Sequence, residues 1–151
     1  MQKDYVKGDI IVCDKPEEAA KGDAVVCFTQ SKDKFIKDEW IKPGMVLLPM
    51  GSYQECEDEF ILNADKLIVD HIGQCMHRGA LAELHAKGKL SEDDIYATIG
   101  EIACGKKPGK ESDSERILCL PIGTGCMDIA VATVVYQRAL EKGMENKFIF
   151  A

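Results

Sequence analysis

The stretch LCLPIGTGCMDIAVATVV, residues 118–135, sets an apolar run against Gly123, Thr124 and Gly125, with a long apolar-faced segment behind them. A strand, a glycine turn and a helix start often hold a phosphate, because backbone N–H groups there point at the anion. The spacing here is G-x-G-x-x-D, which lacks the third glycine that a dinucleotide turn uses for close helix–strand packing. It also lies late in the chain, without two further strand–helix units after it. Two readings remain: glycines that let the chain bend sharply and pack closely, or a ligand-facing turn of another kind.

A second set of candidates follows two earlier apolar runs. Thr29 comes after AVVCF, and Met50-Gly51-Ser52-Tyr53 after VLLP. In open parallel α/β sheets the ligand lies across the carboxyl ends of the strands, where these residues belong. Tyr53 is trailed by Glu55, Glu57, Asp58 and Glu59. A carboxylate relays protons near neutral pH, whereas a phenol of ordinary pKa about 10 does so only when strongly perturbed. Spacing singles out none of the four acids, and all suit the first turn of a helix. His71, His77 and His85 share no metal-ligand spacing with paired cysteines. The seven cysteines form no CxxC pair, which reads as reduced, mostly buried thiols of a cytoplasmic protein.

The elements that must position these groups alternate. DIIVC (9–13), DAVVCFT (23–29), MVLLPMGS (45–52) and KLIVD (66–70) read as strands. The second and third are apolar throughout, as in a parallel sheet buried on both faces. Between them, 14–22 predicts a short helix with Asp14 as cap, Pro16 in its first turn and Gly22 as its stop. Segment 35–44 is a connector with a helical turn, Trp40 serving as its packing anchor, and 55–64 is a short helix. Strand, helix and strand in this order predict a right-handed parallel unit. Beyond Asp70, helical spacing of Met76, Ala80, Leu81 and Leu84 predicts one helix over 73–88, with His77 and His85 two turns apart on one side. Ser91 and Asp94 form a box-like start for a helix over 92–105. Segment 106–115 reads as a mobile polar loop, 117–121 as a strand, 125–142 as a helix, and 147–150 as a last strand.

The expectation is an α/β chain: a partial Rossmann-like parallel sheet, the second half of a dinucleotide-binding domain, followed by C-terminal helices. It divides into 1–72, the α/β unit, and 73–151, a helical region with one or two short strands. The 151 residues suffice for one core. A formal charge of −7 argues against nucleic acid as partner. No apolar run reaches the roughly 18 residues of a membrane span, and MQKDYVKGD is too polar for a signal peptide.

The blocks DKPEEAAKGDAVVCFTQS, EWIKPGMVLLPMGS, ADKLIVDHIGQC and LPIGTGCMDIAVATVVYQRALEKG, in this order over about residues 8–143, resemble the ornithine cyclodeaminase/mu-crystallin family. Gly123, Asp128, Ala130 and Ala132 keep that family's pattern after its last strand. The resemblance implies NAD or NADP as cofactor and an amino-acid substrate processed through an imine, by deamination or imine reduction. It implies that Thr29, Met50, Gly51, Ser52 and Tyr53 flank the cofactor, and that Ile122 and Gly123 line the substrate. Tyr53 stands at the position of the family's catalytic aspartate, and Pro121 at that of a cofactor-binding serine. The family's Gly-rich cofactor turn and its basic substrate ligands belong to an N-terminal half that this sequence does not contain. A second chain supplying that half, or a homo-oligomer, is therefore the implied partner. The alternative is a non-catalytic interaction or nucleotide-binding subunit of the same fold.

Overall fold

The computed structural model describes residues 7–144. Five parallel strands form one sheet: β1 (Ala24–Cys27), β2 (Val46–Pro49), β3 (Lys66–Val69), β4 (Ala97–Thr98) and β5 (Ile117–Leu120). Their spatial order is β1-β2-β5-β3-β4. The last strand thus enters the middle, in register with both neighbours through Val46, Ile117 and Lys66. Strands from both sides of residue 72 share this sheet. The helices are α1 (Pro16–Ala19), α2 (Asp58–Asn63), α3 (Ile72–Cys75), α4 (Ala82–Ala86), α5 (Ile99–Ala103) and α6 (Gly125–Glu141).

Strand alternation separates two faces. Val25, Cys27, Leu47, Leu67, Val69, Leu118 and Leu120 point into one core with Phe60 and Ile61 of α2, Cys75 of α3, and Met76, Leu81 and Leu84 around α4. Phe60, Leu47, Leu118 and Leu84 are wholly buried. The opposite face carries Val46, Leu48, Ile68, Ile117 and Cys119, and among the described residues α5 and the segment at Gly109 and Lys110 lean on it. An apolar trough of about 320 Å³ remains there between these residues and Ile99 and Ile102. The apolar second strand is therefore buried on one face only, and its Val26 is 48% exposed.

Several sequence expectations need correction. DIIVC forms no strand, and Ile11 and Val12 are 81% and 87% exposed. Among the described residues no strand pairs with this run, although β1 lies at the end of the sheet with its outer edge open. The α1 cap is Lys15 rather than Asp14, with no side-chain capping bond. The helix expected over 73–88 is broken: Gly79 adopts φ +77° between α3 and α4. His77 and His85 still meet edge-on, ring centroids 5.5 Å apart. The helix expected from Ser91 becomes a 3-10 turn (Glu92–Asp94) closed by the Ser91–Asp94 box; Thr98 and Glu101 form a second box that starts α5. Segment 106–115, read as mobile, is tethered. Lys66 Nζ donates to Gly109 O at 2.6 Å and to Glu111 Oε2 at 2.7 Å, and it pairs with Glu115 at 3.0 Å. Segment 147–150 lies outside the described residues.

Candidate functional site

All strands point the same way, so their carboxyl ends form one rim, and the loops leaving β1 and β2 meet there. Residues 28–30 and 50–53 enclose a cleft of about 310 Å³. Thr29, Met50, Gly51, Ser52 and Tyr53, each singled out in the sequence, all line it. The Met50 N–H donates to Cys27 O at 2.9 Å, which carries the strand pairing up to the rim.

Gly51 is required by close approach. A Cβ there would lie 2.8 Å from Thr29 O, closer than such atoms come, and 3.1 Å from Glu55 Oε2, a tight contact. Gly51 therefore lines the cleft with backbone alone. Tyr53 is 43% exposed, with Lys32 Nζ 5.8 Å from its ring centre.

The four acids after Tyr53 separate by environment. Glu57 accepts the Asp38 N–H at 3.0 Å and precedes α2 as its cap residue. Asp58 pairs with Lys34 at 2.6 Å and accepts from Gln54 at 2.7 Å. Those two contacts, Lys34 foremost, hold its carboxyl below the usual aspartate range. Glu59 is exposed. Glu55 is wholly buried beneath the cleft, its Oε1 accepting from the Thr29 N–H at 2.9 Å and from Thr29 Oγ1 at 2.6 Å. Two parallel contacts with the segment at Ile36 hold it in place: Ile36 N–H to Glu55 O at 2.9 Å and Glu57 N–H to Ile36 O at 3.0 Å.

The turn after β5 occupies the rim between the ends of β2 and β3. Asp70, which follows β3, accepts the Gly123 N–H at 2.7 Å and the His71 N–H at 2.8 Å. Arg78 Nη2 donates to Ile122 O at 3.2 Å. Gly123 adopts φ +90°, the left-handed region that favours glycine. An added Cβ on Gly123 or Gly125 would meet nothing within 4 Å, so close packing does not explain these glycines. Ile122 and Gly123 lie in this turn and are not among the residues that line the cleft. Thr124 directs its hydroxyl to Cys126 Sγ at 3.1 Å and makes no capping bond to α6.

Sequence reasoning missed Asp70 and Arg78 and left Glu55 undistinguished among four acids. An acid immediately past a parallel strand was a usable signal for Asp70. The burial of Glu55 depends on the Ile36–Cys56 bridge, which pairs segments with no periodic pattern.

The cleft residues fit part of a dinucleotide: open backbone at Gly51, hydrogen-bonding groups at Thr29 and Ser52, and a position at the strand ends. A Gly-rich pyrophosphate turn does not occur among the described residues. Comparison with known proteins agrees with this partial match. The chain is 37% identical over 138 residues to an alanine dehydrogenase of Archaeoglobus fulgidus, covering 89% of this chain and 42% of that one. Its fold superposes with a TM-score of 0.82 and 35% identity on an archaeal alanine dehydrogenase dimer with bound NAD, covering 91% of this chain and 44% of the other. A Thermococcus litoralis Δ1-pyrroline-2-carboxylate reductase, solved with NADH and L-proline, superposes with a TM-score of 0.79 at 25% identity over 88% of this chain and 43% of that one. The chain thus spans less than half the length of these relatives, and its parallel sheet with a long final helix matches their Rossmann-like fold. The model of the ornithine cyclodeaminase/mu-crystallin family matches residues 1–143, and the chain belongs to that family.

Proposed function

We propose that the chain forms part of an NAD(P)-dependent enzyme acting on an amino acid through an imine, by reduction or deamination. In this reading a second chain supplies the N-terminal half of the fold, or the chain assembles as a homo-oligomer. The observation that carries the proposal is the convergence of Thr29 and Met50–Tyr53 in one cleft at the carboxyl ends of β1 and β2. Thr29, Gly51 and Ser52 would hold the nicotinamide end of the cofactor, which supplies or accepts a hydride when bound. Ile122 and Gly123 would close the substrate side, with Asp70 and Arg78 fixing their turn. Tyr53 is the proton-relay candidate by position. The uncovered trough and the apolar residues of α6 support a complementary half as partner.

The test is purification from the native source with its companions, then NADH titration of the chain alone and of any complex. Dinucleotide binding together with imine-dependent NADH oxidation by the complex is the expected result. A chain that binds no dinucleotide, alone or with every companion recovered, would end the proposal. In an active complex Tyr53→Phe should abolish turnover while leaving NADH affinity within about twofold. Unchanged turnover would move the relay elsewhere.

A second reading draws on a specific observation. By the family resemblance Tyr53 takes the place of an acid, and α6 has no buried residue along its 17 residues. A non-catalytic subunit that binds a partner through α6 would show tight complex formation with no NADH oxidation.

A further inference from the structure

Glu55 is buried directly beneath the cleft, with no catalytic part in the reading above. Its Oε1 accepts twice from Thr29, from the N–H at 2.9 Å and from Oγ1 at 2.6 Å. A carboxylate can only accept, so the single hydroxyl proton of Thr29 is committed to Glu55. Thr29 Oγ1 also accepts the Ser31 N–H at 3.1 Å. A hydroxyl has one proton and two lone pairs, which leaves one lone pair free on a side chain that lines the cleft. Anything that reaches this oxygen from the cleft must bring a proton of its own.

We propose that Glu55 is a positioning residue that fixes Thr29 as a hydrogen-bond acceptor, so that the cleft selects a ligand presenting an N–H or O–H donor there. An amide such as a nicotinamide carboxamide, or a sugar hydroxyl, has that chemistry. The proposal rests on the dinucleotide reading of the cleft. Two further observations show a built arrangement. Glu55 Oε2 is buried and accepts no hydrogen bond among the described residues, although natural proteins rarely leave such an atom unpaired. Gly51 also leaves Oε2 room that any larger residue would take.

The experiment is NADH titration, by fluorescence, of the chain and of any complex it forms, across a set of variants. Thr29→Ser keeps the acceptor and should bind like the parent. Thr29→Val removes it and should weaken binding about tenfold. Glu55→Gln keeps a carbonyl oxygen for both Thr29 donors and should stay within about threefold of the parent. Glu55→Leu removes the lock and should weaken binding, by no more than Thr29→Val because the Thr29 oxygen remains, and should add nothing in the Thr29→Val background. A merely structural Glu55 would cost the same in both backgrounds, and that result overturns the proposal. Should Glu55→Leu fail to fold, the two Thr29 variants and Glu55→Gln still decide. Parent-like affinity of Thr29→Val, in a chain that binds NADH, overturns the proposal and leaves the dinucleotide reading standing. A parent that binds no NADH in any preparation removes the reading itself.

Discussion

The helices packed beneath the sheet and the single long helix beyond it obey different rules. Helices α2, α3 and α4 have only four to six residues each, yet they contribute or flank the wholly buried Phe60, Ile61, Leu81 and Leu84. Isolated helices this short do not hold together in water, so tertiary burial sustains them. By contrast α6 runs for 17 residues and buries none of them, leaving Ile129, Val131, Val135 and Tyr136 60% exposed or more. The apolar residues of α6 have no counterpart within the described chain, and Ile129, Val131, Thr133, Val134 and Val135 are weak helix formers, so propensity alone does not account for it. The contrast separates residues whose apolar character builds this core from residues whose apolar character faces outward.

The contrast breaks most sharply at Phe60. Phe60→Ala should remove about 3–5 kcal/mol of stability in urea unfolding, the usual loss for a buried phenylalanine. A loss under about 1 kcal/mol would mean that the helix-covered face is not the core. Acidity should also act on the packed part. Hydrogen bonds and ion pairs hold the carboxyls of Asp58, Glu101 and Glu115 below their usual range: Lys34 first for Asp58, the Thr98 backbone for Glu101, and the Glu111 backbone for Glu115. A depressed value in the folded state gives stability that is present above the unfolded value and lost as pH falls through the folded one. The melting temperature should therefore hold above about pH 4.5 and fall progressively below it, and a flat profile down to pH 2 would contradict those bonds.

Smaller effects sharpen the other side. Val135→Ser on α6 should change the stability of the isolated chain by no more than about 0.5 kcal/mol while lowering self-association in light scattering. A larger loss of stability would show that α6 packs within the chain after all. The thiols give the finest comparison. Burial pushes the Cys56 thiol up to about 12 and those of Cys27 and Cys75 to about 11, whereas Cys104 and Cys126 are exposed. A thiol reagent at neutral pH should label Cys104 and Cys126 in the folded chain and the other three only on unfolding.

Much of the fold was legible because parallel strands carry an unbroken apolar signature. The strands expected around 23–29, 45–52, 66–70 and 117–121 all form, each shorter than its apolar run. What failed depended on partners. DIIVC has a strand's composition but does not pair with any strand among the described residues, and pairing, unlike helix formation, is not local. The helix expected over 73–88 failed at Gly79, whose φ of +77° goes with close contact: a Cβ there would sit 3.1 Å from Ile122 in the turn after β5. The cleft residues were legible as strand ends. Glu55 was not, because one buried acid among four looks the same in a sequence until a distant segment covers it.

The position of β5 has a consequence in time. The strand that joins β2 to β3 is the last of the described strands to be made, and more than 60 residues of chain separate it from β2. During synthesis the pairs β1–β2 and β3–β4 can each form, but the gap between them stays open until residues 117–120 leave the ribosome. Contacts this distant in sequence make for slow folding and expose unpaired edges meanwhile. Nascent chains halted before residue 116 should be digested rapidly by protease, and the full 151-residue chain released from the ribosome should resist. Equal resistance at both lengths would show that the sheet closes without its middle strand.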